Sequence, residues 1–205
     1  MPSPSPSPYP DTATRFIVVT GGPGAGKTTL VERLAERGIR TAPEAGRSVI
    51  KDQMAIAGRA LPWIDPDLFA ELMLAQDMRS YRAASAHSGP VVFDRGIVDV
   101  VGYLRLLGHP VPAHLHTAAQ AFPYHRRVFV APPWPEIYAR DTERKQSYEE
   151  AVRTYEAQVA AYSDYGYEVV HLPLAPVEER ARFVLDHLGQ ETGRTGGSQE
   201  AEHAG

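Results

Sequence analysis

The stretch "RFIVVTGGPGAGKTTLVERLAERG", Arg15 to Gly38, decides the fold. It opens with "RFIVVT", a short β-branched apolar run of the kind found in a strand covered on both faces. It closes with Leu30, Val31 and Leu34 on one helical stripe and Gly38 as a stop. Between the two, Gly21, Gly26, Lys27 and Thr28 satisfy G-x-x-x-x-G-K-[ST] in the strand-then-helix setting that the motif's mechanism needs. Glycines let backbone N–H groups converge on phosphate oxygens, and the amino end of the helix adds a favourable partial charge. The run Gly21, Gly22, Pro23, Gly24, Ala25, Gly26, Lys27, Thr28 and Thr29 is therefore read as a nucleotide cradle. Lys27 is expected to reach the β and γ phosphates, and the Thr28 hydroxyl to complete a magnesium shell.

The rest of the composition suits one folded domain. A chain of 205 residues can bury a substantial core, and 43% hydrophobic with 22% charged residues is ordinary for a globular protein. A net charge of -4 gives no electrostatic case for nucleic acid. The absence of cysteine excludes a disulfide framework and a thiolate metal site, so a cytoplasmic setting is expected. Residues 1–14, alternating proline with serine, lack the regions of a secretory signal and read as a disordered tail. Residues 189–205 lack apolar periodicity and read the same way, leaving 15–188 as the domain. No apolar run approaches the roughly 20 residues of a membrane-spanning helix.

Further strands are expected at "IRTAP", "GPVVFDRG", "RRVFVAPP" and "YEVVHLP", with helical stretches between them. The longest helix candidate runs from Asp67 to about Ala86, and a closing helix ends near Gly189. Alternation on this scale predicts an α/β fold, a parallel sheet of about five strands with helices on both faces.

Three places carry chemistry besides the loop. Asp94 ends the "VVFD" strand, where open α/β sheets place ligands, so it can hold magnesium while Arg95 meets a phosphate. Their bland reading is a loop ion pair or a helix cap. Glu44 follows "IRTAP" at another strand end and can accept a proton from an incoming hydroxyl, or merely begin a helix. Arg140 and Arg144 in "YARDTERKQ" share one helical face and suit a lid that closes over a transferring phosphoryl group, or an exposed charged helix. Trp63, Gln76, Asp99 and Tyr103 are candidates for an acceptor pocket, with core or rim aromatics as the alternative for Trp63 and Tyr103. The eight histidines, with His109, His114, His116 and His125 in one region, show no zinc-ligand spacing.

Taken in order, "FIVVTGGPGAGKTTLVERLAERG", "APEAGRSVI", "GPVVFDRGIVD", "VFVAPPWPEIYARDTERKQSYEEA" and "GYEVVHLP" resemble the bacterial predicted ATPases of the NadR-like AAA group. That group shares its P-loop NTPase fold with ribosylnicotinamide kinase domains. A more distant similarity is to deoxyribonucleoside kinases. It implies Glu44 as general base, Asp94 and Arg95 in the place of a Glu-Arg-Ser block, and Arg140 with Arg144 in a kinase-like lid. The chain departs from that pattern with Asp94 for glutamate, Gly96 for serine and Ala45 where a proline stands.

The expected function is that of a small-molecule kinase, which moves the γ phosphate of ATP, with Mg²⁺, to a hydroxyl of a nucleoside-like or other small metabolite. ATP rests on the resemblance, since no base-specific motif is present. A nucleotide-dependent regulatory module and an ATP hydrolase without an acceptor are the alternatives.

Overall fold

The computed structural model describes residues 10–138 and 147–195. A 3-10 turn, Pro10–Thr14, leads into β1, Phe16–Gly21. The chain then alternates through α1 (Lys27–Glu36), β2 (Arg40–Ala42), α2 (Ala45–Ala55), α3 (Pro66–Ser85), β3 (Val91–Asp94), α4 (Ile97–Leu106) and α5 (Ala113–Ala121). It continues with β4 (Arg127–Ala131), α6 (Pro135–Tyr138), α7 (Tyr148–Asp164), β5 (Glu168–His171) and α8 (Val177–Thr195).

The five strands form one parallel sheet in the order β2-β3-β1-β4-β5. β1 sits at its centre, and the alternation of its side chains divides the core in two. Phe16 and Val18 pack with α3, α4, α5 and α7 residues, including Leu74, Tyr81, Val101 and Tyr162. Ile17 and Val19 pack with Leu30 and Leu34 of α1 and with Ala181 and Val184 of α8. Each face of the strand thus removes β-branched and aromatic surface from water, the dominant favourable contribution to folding.

Several boundaries differ from the sequence reading for physical reasons. β1 extends through Gly21, which pairs with Ala131 so closely that a Cβ there would strike the Ala131 carbonyl oxygen. α2 stops at Ala55, and the left-handed Ala57 (φ 52°) turns the chain so that Gly58 N donates to Gln53 O at 2.8 Å. α8 passes through Gly189 and continues to Thr195, beyond the stop expected at that glycine. The helix α6 is described over Pro135–Tyr138, and residues 139–146 lie outside the described residues. Among the described residues no helix is long and apolar enough to cross a membrane.

The strand order sets up the site. Because β3 lies between β1 and β2, the carboxyl ends of all three adjoin, and the segments leaving them carry the phosphate loop, Asp94–Arg95 and Glu44.

Candidate functional site

The loop from Gly22 to Gly26 bridges β1 and α1. Gly26 is the N-cap of α1 with φ 71°, a left-handed backbone that glycine adopts without penalty. No side chain caps that end, so the first-turn amides of α1 are available to an anion. Lys27 is 6% exposed, and its Nζ donates to the Gly22 carbonyl at 2.6 Å across the loop. Burial, helped by the Arg95 guanidinium, lowers the Lys27 ammonium to about 7, although Glu44, Asp94 and Asp99 pull the other way. Thr28 and Thr29 are exposed on the first turn.

Asp94 is buried at the end of β3, and its Oδ1 has no hydrogen-bond partner among the described residues. Burial raises its carboxyl, with the nearby Lys27 opposing. A buried carboxylate oxygen without a donor, at the end of the strand that pairs with β1, is a hard-oxygen ligand that fits Mg²⁺, which takes one or two protein ligands together with phosphate and water oxygens.

Arg95 has φ 68°, a left-handed conformation that costs a non-glycine residue of order 1–3 kcal/mol unless its surroundings enforce it. Here they do. Its Nε donates to Glu44 Oε1 at 3.1 Å and its Nη1 to Asp99 Oδ1 at 3.1 Å, while its backbone N–H donates to Val19 O. Burial alone would raise the Glu44 carboxyl, but Arg95, Lys27 and Arg47 together hold it below the ordinary glutamate value. Glu44 is therefore ionised. One of its oxygens is engaged by Arg95, while the other has, among the described residues, only the long 3.9 Å approach of the exposed Arg47.

Asp99 has a different place from the one expected. It is 5% exposed in the first turn of α4, and its carboxylate accepts from the Thr20 hydroxyl, Arg95 Nη1, the Gly96 N–H at 2.9 Å and the Tyr162 hydroxyl at 2.7 Å. With four donors it is saturated. It locks the end of β1, the start of α4 and α7 around Arg95. Trp63 lies on the surface between α2 and α3, 63% exposed. Gln76 is half-buried on α3 and accepts from Arg79. Tyr103 packs edge-on against Phe69 with ring centroids 5.5 Å apart. Arg140 and Arg144 fall within 139–146, outside the described residues. The four clustered histidines take separate partners: His109 pairs with Asp67, His114 with Glu71, His116 with Tyr165, and His125 with the Arg127 backbone.

Two charged side chains that the sequence reading passed over touch this region. Arg180 of α8 is 3% exposed and donates to Ala25 O in the phosphate loop at 3.0 Å, and its Nη1 would be 2.8 Å from a Cβ on Gly26. Asp77 of α3 is 7% exposed, and Asp99, Glu44 and Arg95 all act on it. Both sit among apolar positions at helical spacing, which was the available signal: Val177, Ala181 and Val184 flank Arg180, and Leu74 and Tyr81 flank Asp77.

A five-stranded parallel sheet with a glycine-rich loop and lysine after its central strand defines a P-loop nucleotide-binding fold of the kinase-like α/β type. The chain belongs to the AAA domain family, whose model matches residues 16–180. Its fold is similar to that of deoxyadenosine kinase from M. mycoides, solved with bound dATP, at a TM-score of 0.57 and 14% identity over 85% of this chain and 99% of that one. It is also similar to shikimate kinase from Acinetobacter baumannii, solved with shikimate, at a TM-score of 0.53 and 13% identity over 86% and 94% of the two chains. No curated protein matches the sequence.

Proposed function

We propose that this protein is an ATP-dependent phosphotransferase acting on a hydroxyl of a small molecule, with Mg²⁺ as the cofactor. The observation that carries the reading is the Glu44 carboxylate, ionised and held by Arg95 at 3.1 Å, at a strand end two places from the phosphate loop. A carboxylate there can orient an acceptor hydroxyl or, in a hydrolase, the attacking water, and the kinase folds of the structural neighbours favour the hydroxyl.

In this account the amides of the loop and of α1 hold the triphosphate, and Lys27 leaves the Gly22 carbonyl to meet its β and γ oxygens. Thr28 and Asp94 would hold Mg²⁺, which would neutralise charge on those oxygens. Glu44 orients the acceptor hydroxyl and takes its proton. Arg95 fixes Glu44 and presents its remaining N–H groups toward the transferring group. Arg140 and Arg144 supply the lid charges. Phosphoryl transfer has a loose transition state, so this positioning and charge neutralisation account for most of the rate. The kinase folds found by comparison support the reading, and dATP bound in one of them supports a nucleotide as a ligand of this fold.

The test is a screen of hydroxylated metabolites for ATP-dependent phosphorylation, with Lys27→Ala as the blank. Transfer to a defined acceptor is expected. Hydrolysis unaffected by every acceptor would favour the hydrolase, and nucleotide-dependent retention of a partner without turnover would favour the regulatory module.

A further inference from the structure

The seam between α3, α4 and the start of α2 holds two polar groups, the buried Tyr103 hydroxyl and the largely buried Asp77 carboxyl, with no hydrogen-bond partner among the described residues. Asp77 stands on the buried face of α3 in the series Ala70, Leu74, Asp77, Tyr81 and Ala84, and among the described residues no donor reaches its carboxyl. Along the same seam the Tyr103 hydroxyl is buried and likewise unpartnered. More than nine in ten buried polar groups in folded proteins have a partner, so two orphans on one seam ask for an explanation.

The seam adjoins Glu44. A Cβ placed on Gly46, in the first turn of α2, would lie 3.2 Å from the Met73 sulfur, 3.5 Å from Phe69 Cζ and 3.8 Å from Glu44 Oε1. Phe69, Met73 and Asp77 follow one another at four-residue steps along α3, and Tyr103 and Asp99 do so along α4. The Phe69 and Tyr103 rings therefore flank one end, and the carboxyls of Asp77 and Asp99 stand toward the other.

The balance of charge at that second end decides what it accepts. Asp99 and Glu44 have cations of their own in Arg95, Lys27 and Arg47, whereas the one cation acting on Asp77 among the described residues is Arg95, whose guanidinium bonds Asp99 and Glu44 instead. An acidic ligand would add to the unpaired charge on Asp77, and a neutral one would leave it. A ligand bearing a cationic nitrogen removes it and supplies Asp77 with the donor it lacks.

We propose that Asp77 binds a positively charged nitrogen of the acceptor, so that the substrate class is a hydroxyl compound carrying an amine or guanidine. The transfer part of this statement rests on the kinase reading above; the binding part does not.

The experiment measures binding by calorimetry on the full chain, saturated with a non-hydrolysable ATP analogue and Mg²⁺. Two sets of probes of similar size carry a cationic, a neutral or an anionic group: 2-amino-1-phenylethanol, 1-phenyl-1,2-ethanediol and mandelate, and glucosamine, glucose and glucuronate. The cationic member of at least one set is expected to bind on the order of tenfold or more tighter than its neutral and anionic counterparts. Asp77→Asn, and Asp77→Ser as a second variant, should abolish that preference while keeping a cooperative melting transition. Equal binding of neutral or acidic members, no binding by any probe, or a preference that survives both variants overturns the proposal. A cation bound through Asp77 but never phosphorylated would keep the site and remove the kinase. Phosphorylation of a neutral acceptor indifferent to Asp77 would do the reverse.

Discussion

The Nε of Arg95 donates to Oε1 of Glu44 at 3.1 Å, joining the end of β3 to the start of α2. The same guanidinium reaches Asp99 at 3.1 Å, so one fork sets the position of one carboxylate while being held by another. Lysine carries the charge but not the fork. Arg95→Lys is therefore expected to lower acceptor turnover by about one to two orders of magnitude while the chain still folds. Arg95→Ala leaves two carboxylates without their cation and should cost roughly 3 kcal/mol or more of stability, read as a fall in urea midpoint. A midpoint unchanged in Arg95→Ala would show that the pair does not hold this corner.

Gly22 carries the second prediction. A Cβ there would strike the Ala151 carbonyl oxygen in α7, backbone against backbone, so neither partner yields cheaply. Gly22→Ala must push α7 away from the phosphate loop. Nucleotide affinity should fall at least tenfold, whereas Gly38→Ala, whose Cβ meets nothing within 4 Å, should leave affinity as it is despite its backbone strain. Filter binding of labelled ATP distinguishes the two.

Lys27 makes nucleotide binding depend on pH. Its free-state value, lowered by burial to about 7, means the folded chain holds fewer protons than the unfolded one between about 7 and the ordinary 10.5, so this group adds stability as pH rises through that window. Phosphate oxygens around the ammonium restore its affinity for a proton. Binding at pH 8 is expected to take up a proton, and affinity to decline as pH rises above about 7. Calorimetry in phosphate and in Tris, whose ionisation enthalpies differ, should show the uptake in the natural chain and lose it in Lys27→Met. Equal heats in the two buffers would place the lysine charge elsewhere.

Asp77 bears on stability with the opposite sign. Burial first, and then Asp99 and Glu44, raise its carboxyl well above the usual range, so the folded chain loses stability from this group as pH rises from about 4 through the raised value. Asp77→Asn should raise the melting temperature at pH 8 and give little change near pH 3, where both side chains are uncharged. A variant less stable at every pH would point to a structural partner for the carboxylate.

The phosphate loop could be read directly because its parts are contiguous and its mechanism needs only a strand, a turn and a helix. The five strands were readable for a similar reason, each being a short apolar run. The meeting of Glu44 with Arg95 was only suggested, because it depends on β3 lying between β2 and β1, and sequence does not state strand order. Asp99 was assigned to a pocket, yet it accepts the Gly96 N–H at 2.9 Å; an acid three residues into a helix that opens at glycine was the overlooked sign. Arg180 and Asp77 went unnoticed because periodicity marks the face of a helix but not what a charged residue on that face meets.

The central claim is that Glu44 serves a second substrate rather than the nucleotide. It is tested by Glu44→Gln, with transfer of labelled γ phosphate to the acceptor and ATP affinity measured on the same preparation. The account predicts transfer reduced by about 10²-fold or more, with nucleotide affinity within a few-fold of the natural chain. Full acceptor phosphorylation by Glu44→Gln, or a loss of ATP binding equal to the loss of transfer, would contradict it.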